Sequence, residues 1–343
     1  MHRLSFRFSL PCAVAACLWA CPLIGSAVAT PITYEEVTVG NPGNAADTRT
    51  GSLYGAVSYS YQIGTYDVTG SQYTAFLNAV GSTDAYSLYN SNMGTNTQAA
   101  KISRSGASGS YTYAVMNGTG SRPITYVSWF DCARFANWMS NGQGSGNTET
   151  GAYTLLSGQT SGSAPAANSG ASFRIPTENE WYKAAYYSPN YGGSSIGGYW
   201  TYATQSNSAP GITIGSSANQ ANWNSDGESA GSNTATNVGS FSGSASFYGT
   251  FDQSGNVDQW NDLGNTTGSY RGLRGGYWGS YPSSNISSSV SNSSLAQYGD
   301  SSSVGFRLAT PIPVVVPEPS TWAMGLGGLA SGGWQMLRRR RAR

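Results

Sequence analysis

Few residues of this chain are equipped for chemistry. Glu178 and Glu180 stand two apart, the kind of carboxylate pair that general acid and base work uses, and Cys132 is a lone interior thiol. The pair has a simpler reading. Both fall in the first turn of a helix that Thr177 opens, where carboxylates complement the positive end of the helix dipole. Cys132 lies in a helical stretch, three residues after Trp129 and four before Ala136, with no histidine or lysine nearby in sequence to lower its pKa. That pattern describes a small apolar core residue rather than a nucleophile.

Both ends of the chain read as addresses rather than as fold. Arg3 and Arg7 precede an apolar run over 8–24 and the small-x-small triplet Ala27-Val28-Ala29, so 1–29 reads as a signal peptide with the mature start at Thr30. A lipoprotein alternative would use Cys17 after Val14-Ala15-Ala16, but it requires a very short apolar stretch. At the other end, Pro317-Glu318-Pro319 is followed by about 18 mostly apolar residues, 320–337, and then by the arginines of 338–341. This tail, 317–343, resembles the PEP-CTERM sorting signal, which implies cleavage by an exosortase. The plain alternative is a membrane anchor, since a span needs roughly 20 apolar residues and arginines stay on the cytoplasmic side. Five glycines in the stretch make it a poor permanent helix. The expectation is processing by signal peptidase and exosortase, transient membrane association through the C-terminal span, and a final place at the cell surface, outer membrane or extracellular matrix of a Gram-negative bacterium.

Setting these ends aside changes the charge. Seven of the 17 basic residues and one of the 16 acidic residues lie in them, which leaves 10 against 15 over residues 30–316, a net −5 in place of +1. Nucleic acid is therefore not an expected partner, because it calls for a basic patch on the folded part. Cys12, Cys17 and Cys21 leave with the signal, so Cys132 has no intramolecular disulfide partner although export would permit one. The one histidine, His2, leaves as well. Imidazole-dependent triads and histidine-bound zinc or iron are excluded by composition.

The elements that must position what is left can be read from the pattern. Residues 57–68 are rich in Tyr, Val and Ile and read as a strand. Tyr73, Phe76, Leu77 and Val80 then fall on one helical face. A second helix is expected from Ser128, with Asp131 completing a capping box, to near Gly142. A third is expected from Thr177, with Glu180 in the matching position and Trp181, Ala184 and Ala185 on its buried side. The Gly/Ser/Asn-rich stretches 82–121 and 141–171 read as surface excursions, and little regular structure is expected beyond Tyr187. No Pro-rich or charged linker divides the interior, so one domain is the simpler reading.

The order of these pieces resembles the formylglycine-generating enzyme family, also called sulfatase-modifying factor domains. The resemblance is carried by Tyr66 to Thr69 with Gln72-Tyr73 and Phe76-Leu77, by Val127-Ser128-Trp129 with Phe135-Ala136-Asn137-Trp138, and by Arg174-Ile175-Pro176-Thr177 with Glu180-Trp181. It continues with Ala221-Asn222-Trp223, Gly255-Asn256-Val257 with Gln259-Trp260, Arg274-Gly275-Gly276 with Tyr277-Trp278, and Gly305-Phe306-Arg307. It implies an α+β, loop-rich fold, a variant of the C-type lectin fold, with low regular secondary structure. The implied layout is an N-terminal extension over 30–50, the domain over 51–309 and a linker over 310–316.

In the family's enzymes a cysteine pair after the Arg-Gly-Gly block binds copper and activates oxygen to oxidise a substrate cysteine. The matching positions here fall at about Ser280 and Asn285, in a stretch over 279–303 with no cysteine, and copper(I) selects soft thiolates that a hydroxyl and an amide do not replace. Copper is thus not expected and no catalytic residue is assigned. Calcium is the cofactor that the resemblance still implies. Its ligands would be the Asp252 carboxylate, the Gly255 and Val257 carbonyls and the Gln259 amide oxygen, an oxygen set that suits a hard cation. Gln259 stands where the family usually has a glutamate, so a charged ligand becomes neutral. A second site would begin at Asn222 and Trp223 and close within 228–236. The alternative for 252–256 is an ordinary turn, with Asp opening and Gly closing it. Arg174, Arg274 and Arg307 are expected to tie loops to the core. The functional expectation is a surface-sorted, non-catalytic binding or structural module, its Tyr and Trp side chains able to stack on extracellular polysaccharide. The alternative is a divergent oxidoreductase, or another enzyme using different residues.

Overall fold

The computed structural model describes residues 31–312 except 194, 265, 266, 291, 297 and 298. The signal peptide expected at 1–29 and the sorting tail expected at 317–343 lie outside the described residues.

Helices start where capping chemistry is written into the chain. Helix α1 (Gly70–Val80) is opened by Thr69 with Gln72; after a one-turn α2 (Asn92–Thr95), α3 (Trp129–Ser140) is opened by Ser128 with Asp131 and α4 (Glu178–Tyr186) by Thr177 with Glu180. In all three boxes the N-cap hydroxyl accepts from the N3 amide while the N3 side chain accepts from the N-cap amide, satisfying two of the orphan N–H groups of the first turn. The boxes at Ser128 and Thr177 were legible in sequence, and the one at Thr69 completes the set. Helix α3 is the central element, buried from Trp129 to Met139. Helix α1 packs on it through Tyr73 stacked on Phe135 and Phe76 against Trp138. Val80, expected on the buried face, is only partly covered.

Strands β1 (Glu36–Val39), β2 (Tyr61–Gly64), the hairpin β3 (Ile102–Ser105) and β4 (Thr112–Val115), and the short pair β5 (Tyr187–Ser188) and β6 (Gly198–Tyr199) precede the second half of the fold. That half holds β7 (Asp258–Asn261), β8 (Tyr270–Arg274), β9 (Asn292–Ala296), β10 (Val304–Gly305) and β11 (Ala309–Pro311). Strand β2 carries β1 on one edge and β11 on the other, both antiparallel, so the two ends of the described chain are tied into one three-stranded sheet. A four-stranded sheet runs in the order β10-β7-β8-β9, with β10 parallel to β7.

Several sequence expectations change here. The strand read over 57–68 is four residues long, because the chain beyond Gly64 turns to present Asp67 to the interior. The stretch 82–121 is not a mere excursion: Leu88, Met93, Ile102 and Tyr113 enter the main core, and the Tyr113 hydroxyl donates to the carbonyl of Gly81 at 2.8 Å. Likewise 141–171 supplies Ala152, Tyr153 and Leu155 to that core. Beyond Tyr187 regular structure is sparse, as expected, and is confined to short elements that include the four-stranded sheet. Its strands are short and interrupted by Gly and Asp, so periodicity over so few residues gives no signal. The extension over 30–50 belongs to the fold, since β1 pairs with β2 and Tyr182 donates to buried Asp47 at 2.7 Å. Residues 310 and 311, expected in a linker, belong to β11.

Candidate functional site

The Gly305-Phe306-Arg307 block is built into the centre of the molecule. Strand β10 aligns Gly305 with Gln259, and a Cβ at Gly305 would sit 2.6 Å from the carbonyl of Ile124, so only glycine lets the strand lie this close. Phe306 meets Phe135 edge to face and Arg307 is wholly buried. The Arg307 guanidinium donates to the Gly64 carbonyl at 2.9 Å, the Phe251 carbonyl at 2.7 Å, Asp67 at 2.9 Å and the Gln259 amide oxygen at 2.7 Å. A buried arginine so fully partnered acts as a clamp, here joining β2, β7 and the turn before β7. Burial still pushes the Asp67 carboxyl up to about 7, and no hydrogen bond reaches its Oδ2 among the described residues.

Gln259 is the hub's second member. Its amide oxygen also accepts from the Trp181 indole at 2.7 Å, and its amide nitrogen donates to the Asp252 carbonyl at 2.9 Å. Both lone pairs of that oxygen are therefore used. Asp252 adopts a positive φ of 61° and its carboxylate accepts from the Gly239 amide at 2.7 Å; burial raises it to about 6. The turn that follows is locked to the chain at Asn222. Asn256 donates its amide to the Asn222 carbonyl at 2.8 Å, and a Cβ at Gly255 would lie 2.2 Å from that same oxygen. The Asn256 side-chain oxygen accepts from the Thr236 amide at 3.0 Å and from Asn222 at 3.2 Å. Asn222 in turn donates to the Thr234 carbonyl at 2.9 Å, tying 228–236 to Asn222. The two stretches singled out in sequence for calcium are thus neighbours, which spacing alone did not reveal. Trp223 turns its indole to the Pro210 carbonyl at 3.0 Å.

The Arg-Gly-Gly block leads from β8 into a tight turn. A Cβ at Gly276, where φ is +70°, would meet both the Asn285 carbonyl at 2.6 Å and the Ser280 hydroxyl at 2.9 Å, so Ser280 and Asn285 converge on one glycine. Each is committed to the turn. The Ser280 hydroxyl accepts from the Tyr277 amide at 3.0 Å, and the Asn285 side chain donates to the Tyr281 carbonyl at 2.8 Å.

A family model described as "Sulfatase-modifying factor enzyme 1-like domain" matches residues 37–312. The chain belongs to this family. Among solved structures, CarF is similar at 20% identity and a TM-score of 0.50, covering 82% of this chain and 99% of its own. Treponema denticola variable protein 1 is matched at 18% identity and 0.49, covering 83% of this chain and 97% of its own. PvdO from Pseudomonas aeruginosa is matched at 18% and 0.41, covering 81% of this chain and 92% of its own. At such identity the likeness to CarF speaks for the fold alone. A search of curated proteins finds no match.

For a sulfatase-modifying factor domain, the residues at two expected metal positions can now be tested. Ser280 and Asn285 do not fit copper: one hydroxyl and one amide, both held in a turn, supply no thiolate. Cys132 is wholly buried in α3, and burial holds its thiol well above 9.0, so it stays protonated and inert. Gln259 does not fit calcium in this geometry, since a cation on its oxygen would displace the Trp181 bond and stand beside the Arg307 guanidinium.

The paired carboxylates are structural. Glu180 accepts from both guanidinium nitrogens of Arg174; although burial pushes the other way, those bonds hold its carboxyl below the ordinary value. Glu178 pairs with Arg274, whose guanidinium lies over the Tyr54 and Tyr182 rings. Arg307 and Arg274 clamp loops as expected, the latter through the Ser288 and Val290 carbonyls, whereas Arg174 is committed to Glu180 six residues on. Sequence reasoning missed Asp262, which accepts from Trp129 at 2.7 Å and from Tyr153 at 2.5 Å in the core. Arg271 also pairs with it at 3.2 Å, but no local spacing marks it as a hub, because Trp129 and Tyr153 are more than a hundred residues away.

Proposed function

We propose that this sulfatase-modifying factor domain is a non-catalytic binding module, exported and sorted to the cell surface. The observation that supports the reading is the turn at Gly276, where Ser280 and Asn285, at about the positions that the resemblance gives the family's copper cysteines, are both bound into the turn. Oxidising a substrate thiol with oxygen needs soft metal ligands or an equivalent redox group. The only thiol of the described residues is sealed in α3. Export is supported by Ala27-Val28-Ala29 after an apolar run, and sorting by Pro317-Glu318-Pro319 before an apolar stretch and arginines. A C-type-lectin-like arrangement is supported by β2, which takes both β1 and β11 and so brings the two ends of the domain side by side.

The test is to reconstitute the purified protein with copper(I) and assay oxidation of a cysteine-containing peptide under oxygen. No stoichiometric copper and no oxidised peptide are expected. Turnover with bound copper would overturn the reading.

A further inference from the structure

A cavity of the described residues lies away from the Gly276 turn. It has a volume of about 500 Å³ and is lined by 45–49 together with Tyr187, Tyr191, Ile196, Gly197, Gly198 and Tyr199. That volume falls within the roughly 300–1,000 Å³ of small-ligand sites. Its wall is aromatic and rigid. Tyr187 meets Tyr199 edge to face at 5.1 Å, and Tyr191 packs against Trp200 at 4.7 Å. The phenol of Tyr199 donates to the Ala45 carbonyl and accepts from Asn44, both at 2.7 Å, while that of Tyr191 accepts from Asn207 at 2.8 Å. The rings are thus fixed before any ligand arrives, and little entropy is lost on binding. Two glycines make the arrangement possible: a Cβ at Gly197 would lie 2.2 Å from the Tyr187 hydroxyl, and one at Gly198 would lie 2.7 Å from the Tyr191 ring.

Polar groups are set among these rings. Asp47 binds Arg49 through Nε and Nη2, and the guanidinium also reaches the Trp200 carbonyl at 3.1 Å and the Thr201 hydroxyl at 3.3 Å. The Arg49 side chain is 42% exposed, so its planar donors border solvent. Asp47 and Arg49 are the only charged residues of the lining and cancel each other, which favours a neutral ligand. At the rim Ile196 is 77% exposed. Flat apolar C–H faces ringed by hydroxyls suit such a wall: the half-buried Tyr191 ring attracts C–H groups, and the Arg49 guanidinium, anchored by a buried Asp47 whose oxygens are taken by Arg49 and Tyr182, donates to hydroxyls.

We propose that this cavity binds a neutral pyranose unit of a polysaccharide. The proposal rests on the reading of the domain as a binding module and names the ligand class of that module.

The experiment is ligand-observed NMR on the full-length protein with methyl glycosides of glucose, galactose and mannose and with a proline-rich peptide as a control, on wild type, Tyr191→Ala and Thr48→Trp. Thr48 is exposed, so the tryptophan fills the cavity without disturbing the core. Saturation transfer from protein to at least one glycoside is expected, weakened about tenfold, or 1.4 kcal/mol, by Tyr191→Ala and abolished by Thr48→Trp. A glycoside signal that survives Thr48→Trp would overturn the assignment of this cavity while leaving the binding-module reading intact. No signal with any glycoside, or a signal with the peptide alone, would overturn the sugar class. The binding-module reading falls separately, if the copper assay yields turnover.

Discussion

Replacing Gln259 by leucine removes three hydrogen bonds from the middle of the molecule while leaving the volume almost unchanged. The Trp181 indole N–H loses its acceptor, the Asp252 carbonyl loses its donor, and Arg307 loses one of its partners. A buried group left without a partner costs about 1–3 kcal/mol. Arg307 keeps Asp67 and its backbone carbonyls, so its share falls at the low end. The sum is about 3–7 kcal/mol, a large part of the roughly 5–15 kcal/mol that holds a domain together. Gln259→Glu should cost less, about 1–3 kcal/mol. It still accepts from Trp181 and Arg307, but sets a carboxylate oxygen against the Asp252 carbonyl where a donor stood. Protonating that oxygen restores the donor, so the deficit of the glutamate variant should shrink between pH 8 and pH 5. Urea unfolding at both pH values measures all of this. A leucine variant within about 1 kcal/mol of wild type, with unchanged m-value, would refute the hub. A glutamate variant more stable than wild type at pH 8 would show that Arg307 lacks negative charge, against the role given to Asp67. In the same apparatus, neither calcium nor EGTA should move the wild-type melt, because the Gln259 oxygen is already occupied.

Burial raises Asp67, Asp131 and Asp258 to about 7 and Asp252 and Asp262 to about 6 from an ordinary 3.8. The folded chain then binds protons more tightly than the unfolded one, so stability declines as pH rises from 4 through 7; the Tm at pH 5 should exceed that at pH 7.5, and an equal or lower value would contradict the assignment. Ser128→Ala removes the hydroxyl that accepts from the Asp131 amide, and should cost about 1 kcal/mol by denaturant titration. Gly255→Ala combines a φ of +87° with a 2.2 Å approach to the Asn222 carbonyl, so it should lower Tm more than Gly109→Ala, where φ is also positive but nothing lies near. Intact mass of the protein recovered from the exporting cell should begin at Thr30 and lack the tail after 317–319. A full-length mass would sink the sorting reading.

The sequence by itself determined what is local or collinear. Capping boxes at Ser128 and Thr177 placed two helices, because the cap and its partner lie three residues apart and the hydrogen bonds close within one turn. The ordered blocks from Tyr66 to Arg307 gave the family, and the stretch 279–303 contains no cysteine. Cys132 read as core because helical spacing put it among apolar residues. The tertiary structure alone decided what each polar residue is bound to. Gln259 looked like a neutral stand-in for a metal ligand and is instead shared by Trp181, Arg307 and Asp252. The Gly/Ser-rich stretches read as surface, yet Leu88, Met93, Ile102 and Tyr113 and also Ala152, Tyr153 and Leu155 belong to the main core. The cavity at Tyr191 is assembled from 45–49 and 187–199, segments that no periodicity connects. Hydrogen bonds within a turn are encoded by spacing. Those that span a hundred residues or more depend on where the core has already brought the backbone, and spacing in the sequence carries no record of that.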